Sequence, residues 1–191
     1  MTKHEHRTPE SIIAEFLSYA PNDRDEWNED PDELDRIDNV DVCCGCYRLA
    51  LVPRYENFII KVGFGDEGDK MNARELVIYR KAKEQKLHHF FAAPRTVLHI
   101  GSWDWFVFDK VELVGYQERF PRQCTYRDNK FLDWLYDQGK HFEPAYSYLS
   151  NASGQRLVKF FIKYRLRDFH YGNFGYNKHL RHIVFTDYAG V

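Results

Sequence analysis

Apolar residues Ile12, Ile13, Phe16 and Leu17 recur at helical spacing within the stretch Pro9 to Tyr19. Thr8 stands where an N-cap belongs and Pro9 at the first helical position, so the pattern predicts an N-terminal helix packed on something else. The stretch from Asn22 to Glu33 is acidic and poor in apolar residues; it reads as a solvated connection or a short surface helix. From Val40 the pattern changes to strands. Val40 to Val42, Tyr47 to Val52 and Phe58 to Val62 are separated by Cys43-Cys44-Gly45-Cys46 and by Pro53-Arg54-Tyr55-Glu56-Asn57, both turn-like. A Gly-rich turn over Gly63 to Gly68 leads to a predicted helix from Lys70 to Lys86, with Ala73, Leu76, Val77, Ile78, Tyr79 and Ala82 as its apolar positions. Two further strands follow, Thr96 to Ile100 and Trp103 to Val111, extending the sheet to about five strands. Helices are expected near 128–138 and 143–149, then a strongly apolar one from Gln155 to Tyr164, and last a short hairpin ending at Asp187.

Composition changes this picture little. The chain has 191 residues, enough to bury a sizeable core as one domain or two small ones. Its formal net charge of −2 supplies no electrostatic reason to seek nucleic acid or an anionic membrane. No apolar run approaches a membrane span, and the N-terminus lacks a signal-peptide core, so the expected location is the cytoplasm, with no membrane partner. In the Cys43-Cys44-Gly45-Cys46 cluster only Cys43 and Cys46 have a zinc-like spacing, and no second pair answers them. Reduced, half-buried hairpin thiols are the expectation there.

Candidate chemistry gathers at two places. Lys61 lies inside the apolar strand Phe58-Ile59-Ile60-Lys61-Val62, and a buried ammonium must find an anion because an unpaired buried charge is costly. Near the end, Arg167-Asp168-Phe169-His170-Tyr171-Gly172-Asn173 is followed by Phe185-Thr186-Asp187. Two carboxylates and an amide oxygen at this spacing suit a magnesium–nucleotide complex and the hydroxyl that attacks it.

The order of these features resembles the protein-kinase-like fold, and the chain is most similar to the short early serine/threonine protein kinases of podoviral phages. The resemblance rests on I-K-V-G-F at Ile60 to Phe64 and on D-x-H-x-G-N at Asp168 to Asn173, and it covers Val40 to the C-terminus. It implies an α+β fold with an antiparallel N-lobe sheet and one helix, then a minimal helical C-lobe. The corresponding division is 1–39 for the N-terminal helix and acidic connection, 40–114 for the N-lobe and 115–191 for the C-lobe. It also implies roles. Asp168 would orient the attacking hydroxyl and accept its proton, with Arg167 beside it. Asn173 and Asp187 would hold magnesium, and Lys61, held by Glu75, would neutralise phosphate charge. Gly45 would lie in the phosphate-covering turn, and Glu112 and Val114 would fall at the adenine-reading hinge. Glu84 lies too late in the helix for the pairing role, and His170 is expected to hydrogen-bond within its own loop.

Three departures qualify the resemblance. The Gly-rich loop is reduced to Gly45, D-F-G has become Asp187-Tyr188-Ala189-Gly190, and the sequence stops at Val191. The expectation is therefore an ATP- and magnesium-dependent phosphotransferase, a phage serine/threonine protein kinase acting on host proteins, with its substrate platform cut away. The alternative is a kinase-derived protein of weak or absent activity that binds and inhibits a host enzyme or defence factor through its acidic segment Asp23 to Asp35. A small-molecule phosphotransferase shares the D-x-H-x-G-N form and is the third reading.

Overall fold

Thr8 caps the first helix, α1 (Pro9–Leu17): its Oγ1 accepts from the Ser11 amide at 3.3 Å, and Pro9 occupies the first turn. The spacing of its apolar residues carries Ile12, Ile13 and Phe16 into full burial. The computed structural model describes residues 6–28, 34, 36–113, 152–166, 173–177 and 182–189. The chain is α+β. Strands β1 (Val40–Cys44), β2 (Arg48–Pro53), β3 (Phe58–Gly63), β4 (Pro94–Ile100) and β5 (Trp103–Asp109) form one antiparallel sheet in the order β1-β2-β3-β5-β4. Helix α2 (Gly65–Glu84) lies between β3 and β4 in sequence, and a 3-10 turn at His88–Phe90 follows it. After β6 (Glu112–Leu113), helix α3 (Ala152–Tyr164) precedes the hairpin β7 (Phe174–Asn177) and β8 (His182–Phe185), and β6 pairs with β7. The helices expected near 128–138 and 143–149 lie outside the described residues. No helix among the described residues is long and apolar enough to cross a membrane.

Two compact units divide the chain: Met1–Arg74 with Pro94–Lys110, and Glu75–Ala93 with Val111–Val191. In the first, side chains alternate across the sheet as strand geometry requires. Leu49, Leu51, Phe58, Ile60, Val62, Trp105 and Val107 form one face and share a single core with Ile12, Ile13, Phe16 and Trp27. Burying each large apolar side chain contributes on the order of 1.5–3 kcal/mol. Trp27 corrects the expectation of a merely solvated acidic stretch. It lies in a 3-10 turn, Arg24–Asn28, with its ring fully buried 5.0 Å from Phe16 and its Nε1 donating to the Pro21 carbonyl at 2.8 Å. Arg24 adds a bidentate bond to Asp69 of α2, at 3.1 and 2.7 Å.

Helix α2 starts five residues earlier than its apolar pattern predicts, at Gly65 rather than Lys70. The reason is a close backbone approach. A Cβ on Gly68 would lie 2.1 Å from the Tyr47 carbonyl oxygen, and one on Gly63 would lie 2.4 Å from the Asp69 amide. Glycines that looked like a turn instead let the first helical turn rest on the end of β3. The helix ends with Lys86 at φ 57, Leu87 N–H bonded to the Ala82 carbonyl at 2.8 Å and Lys86 N–H to that of Lys83 at 3.0 Å, a Schellman arrangement.

In the second unit Phe91 is an aromatic hub. Its ring centroid lies 5.6 Å from Phe160 and from Phe185, and 5.0 Å from Tyr188. Helix α3 ends as α2 does, with Arg165 at φ 52 and Leu166 N–H bonded to the Phe161 carbonyl at 3.0 Å.

Candidate functional site

Lys61 lies on the sheet face opposite the core shared with α1. Cys43, Ala50, Lys61, Phe106 and Val97 stand in one transverse row across β1, β2, β3, β5 and β4. Lys61 is 6% exposed, which matches the burial its strand pattern implied, and its ammonium lies 4.9 Å from the centre of the Phe108 ring. Arg48 is a second buried cation on this face, opposite Gly63 and one diagonal step from Lys61. Its Nη1 donates to Oδ1 of Asn72, a fully buried residue of α2, at 3.3 Å, and the Nδ2 of that amide has no hydrogen-bond partner among the described residues. An unmet buried donor costs about 1–3 kcal/mol. Arg48 carried the same signal as Lys61, a charge within the apolar run Tyr47 to Val52, and sequence reasoning passed over it.

Gly45 lies in the turn between β1 and β2, where its N–H is bonded to the Arg48 carbonyl at 2.8 Å. Its neighbours Cys43 and Cys46 are exposed and Cys44 is half-buried. Burial, reinforced by Cys43, raises the Cys44 thiol above its ordinary pKa.

In the second unit, Glu75 is fully buried on α2. Glu112 pairs across from Tyr176, so one edge of the expected hinge is in a β-ladder; Val114 lies outside the described residues. The β7–β8 register places Phe174 opposite Phe185, and the Thr186 N–H extends that ladder by donating to the Asn173 carbonyl at 3.0 Å. Thr186 therefore stands opposite Asn173 at one end of the hairpin, and Asp187 follows it in sequence; Asn173 is buried and Asp187 half-buried. On the other side of Asp187, the buried Tyr188 hydroxyl donates to the Ala92 carbonyl at 3.0 Å, while the Ala92 N–H donates to the Phe185 carbonyl at 2.8 Å. The segment carrying Asp187 is tied down on both flanks. Arg167, Asp168 and His170 lie outside the described residues.

An amide oxygen and a carboxylate are hard donors that suit magnesium, which takes one or two carboxylates and completes its shell with water and phosphate oxygens. Among the described residues no group of three or more His, Cys, Asp or Glu side chains could hold a metal. No protein-family model matches the chain, and no curated protein matches it significantly.

Proposed function

We propose that the protein is an ATP- and magnesium-dependent phosphotransferase of protein-kinase-like architecture, encoded by a phage and directed at serine or threonine hydroxyls of host proteins in the host cytoplasm. The observation that carries this reading is the hairpin register that sets Asn173 opposite Thr186, the residue before Asp187, downstream of Asp168 in sequence. A five-stranded antiparallel sheet with a buried lysine on β3, followed directly by a helix bearing a buried glutamate, supports it.

In this reading Asn173 and Asp187 hold magnesium, which neutralises charge on the phosphates when bound. Lys61 attracts phosphate oxygens from a water-poor sheet face, where its charge acts through a lower effective dielectric than in bulk water. Asp168 orients the substrate hydroxyl and takes its proton, with Arg167 beside it. Glu75 holds Lys61, Gly45 lies in the turn that covers the phosphates, and Glu112 and Val114 read the adenine edge.

The test is magnesium-dependent transfer of labelled phosphate from ATP to the protein itself or to host lysate, comparing wild type with Asp168→Ala. Transfer lost in the variant supports the assignment. Equal labelling by both proteins would sink it, and an absence of any ATP-induced thermal shift would favour the inhibitory binding protein.

A further inference from the structure

We propose that an exposed basic face, formed by the end of α2 and one side of α3, binds the phosphate backbone of double-stranded DNA.

The whole-chain charge of −2 conceals how unevenly charge is distributed. Helix α3 contains no aspartate or glutamate. Steps of three and four residues set Arg156, Lys159 and Lys163 along one side of it, and all three are exposed. Arg156 donates through Nη2 to the Gln85 carbonyl at the end of α2, and Gln85 Nε2 meets the Tyr164 hydroxyl at 3.5 Å. Gln85 thus joins that side of α3 to Lys83 and Lys86, both exposed and close to it in sequence. From Glu75 to Lys86 and along α3, the one exposed carboxylate among the described residues is Glu84, bonded to Lys81 at 2.9 and 3.0 Å. Lys83, Lys86, Lys159 and Lys163 make no ion pair among the described residues. A helix macrodipole attracts cations to its last turn. That covers Lys83 and Lys163 and leaves Arg156 and Lys159, which precede the last turn of α3, unexplained.

What this face lacks selects its partner. Protein interfaces centre on buried aromatic and aliphatic anchors, and helices that lie on membranes carry an apolar side. Among the described residues of α3, Ile162 is the one exposed large apolar side chain. Single strands are held by stacking their bases on aromatic rings, and no exposed ring belongs to this face among the described residues. Double-stranded RNA is read largely through its 2′-hydroxyls, and the five cations carry no oxygen to accept from one. Duplex DNA needs none of these, because Lys and Arg contacts to its phosphates supply affinity by releasing counterions.

The experiment measures binding of a short mixed-sequence DNA duplex to the full chain by fluorescence anisotropy, over a series of salt concentrations. Wild type is compared with two double variants, Lys83→Gln with Lys86→Gln and Lys159→Gln with Lys163→Gln. Lys70→Gln, at an exposed lysine paired with Glu67 in the other unit, controls for the loss of charge alone. Each double variant is expected to bind roughly ten- to a hundredfold more weakly at about 50 mM salt, and to flatten the log–log salt dependence by about two. Lys70→Gln should bind as wild type does, and thermal midpoints check that every variant is folded. Wild-type protein that binds no duplex at low salt would overturn the proposal, as would wild-type affinity in either double variant or an equal loss in Lys70→Gln. Tighter binding of single-stranded DNA, duplex RNA, polyglutamate or phosphatidylserine vesicles than of duplex DNA would overturn it too. None of the five cations has a role in the phosphotransferase reading, so phosphate transfer by the double variants reports on that reading separately.

Discussion

The Tyr188 hydroxyl donates to the carbonyl of Ala92 at 3.0 Å inside a buried aromatic cluster, one residue after Asp187. A phenylalanine could fill the same space and could not make this bond. Tyr188→Phe should therefore leave the Ala92 carbonyl with one partner fewer and cost about 1–2 kcal/mol. Urea unfolding of the two proteins checks this. If Asp187 holds magnesium, the variant should also need more magnesium for half-maximal phosphate transfer.

Gly63 and Gly68 are in backbone contact, so neither accepts a side chain. Gly63→Ala and Gly68→Ala should each cost about 3 kcal/mol, near the upper end for overpacking, since the opposing atoms are main chain. Gly45→Ala is the control. Among the described residues a Cβ there meets only the Arg48 carbonyl oxygen, at an ordinary 3.6 Å, and its midpoint should stay within about 0.5 kcal/mol of wild type.

Lys86 and Arg165 both take the left-handed conformation that closes a Schellman turn, at φ 57 and φ 52. Glycine adopts it without the Cβ penalty, although it also frees the unfolded chain. The balance favours Lys86→Gly and Arg165→Gly by up to about 1 kcal/mol each. Thermal melts of the single variants decide it, and the double variant should show the sum.

Cys44 and Lys110 should tilt stability in opposite directions at alkaline pH. Burial raises the Cys44 pKa above 9.0, so both states keep the proton at lower pH and the unfolded chain loses it first above about pH 9. Stability then falls as pH rises. Burial lowers the Lys110 pKa from 10.5, its ammonium donating to the Pro53 and Arg54 carbonyls. The folded state sheds that proton first, so stability rises with pH through the interval below about 10.5. Cys44→Ala should remove the first slope and Lys110→Met the second, in denaturation series across that range. Alkylation at mildly alkaline pH should modify Cys43 and Cys46 ahead of Cys44, as peptide mapping by mass spectrometry can show.

Much of this was legible along the chain, because it depends on neighbouring residues. The Thr8 cap, the Pro9 start and the spacing of Ile12, Ile13 and Phe16 specify α1 by local geometry alone. Alternation and turn residues specify β1 to β5 in the same way, and the apolar run into Tyr164 specifies α3. Lys61 was legible as buried since its whole strand is apolar. What tertiary structure decided is which distant groups meet. Trp27 sits in an acidic stretch whose composition predicts solvent, yet the aromatic pocket made by Phe16, Trp103 and Trp105 draws it in. Gly63 to Gly68 read as a turn until β3 and α2 are brought into backbone contact. The Asn173–Thr186 bond and the Tyr188–Ala92 bond join residues far apart in sequence or across a hairpin. Periodicity reports which face of an element is apolar. Only packing determines what that face is pressed against, because a contact's energy depends on both partners and a local pattern contains one of them.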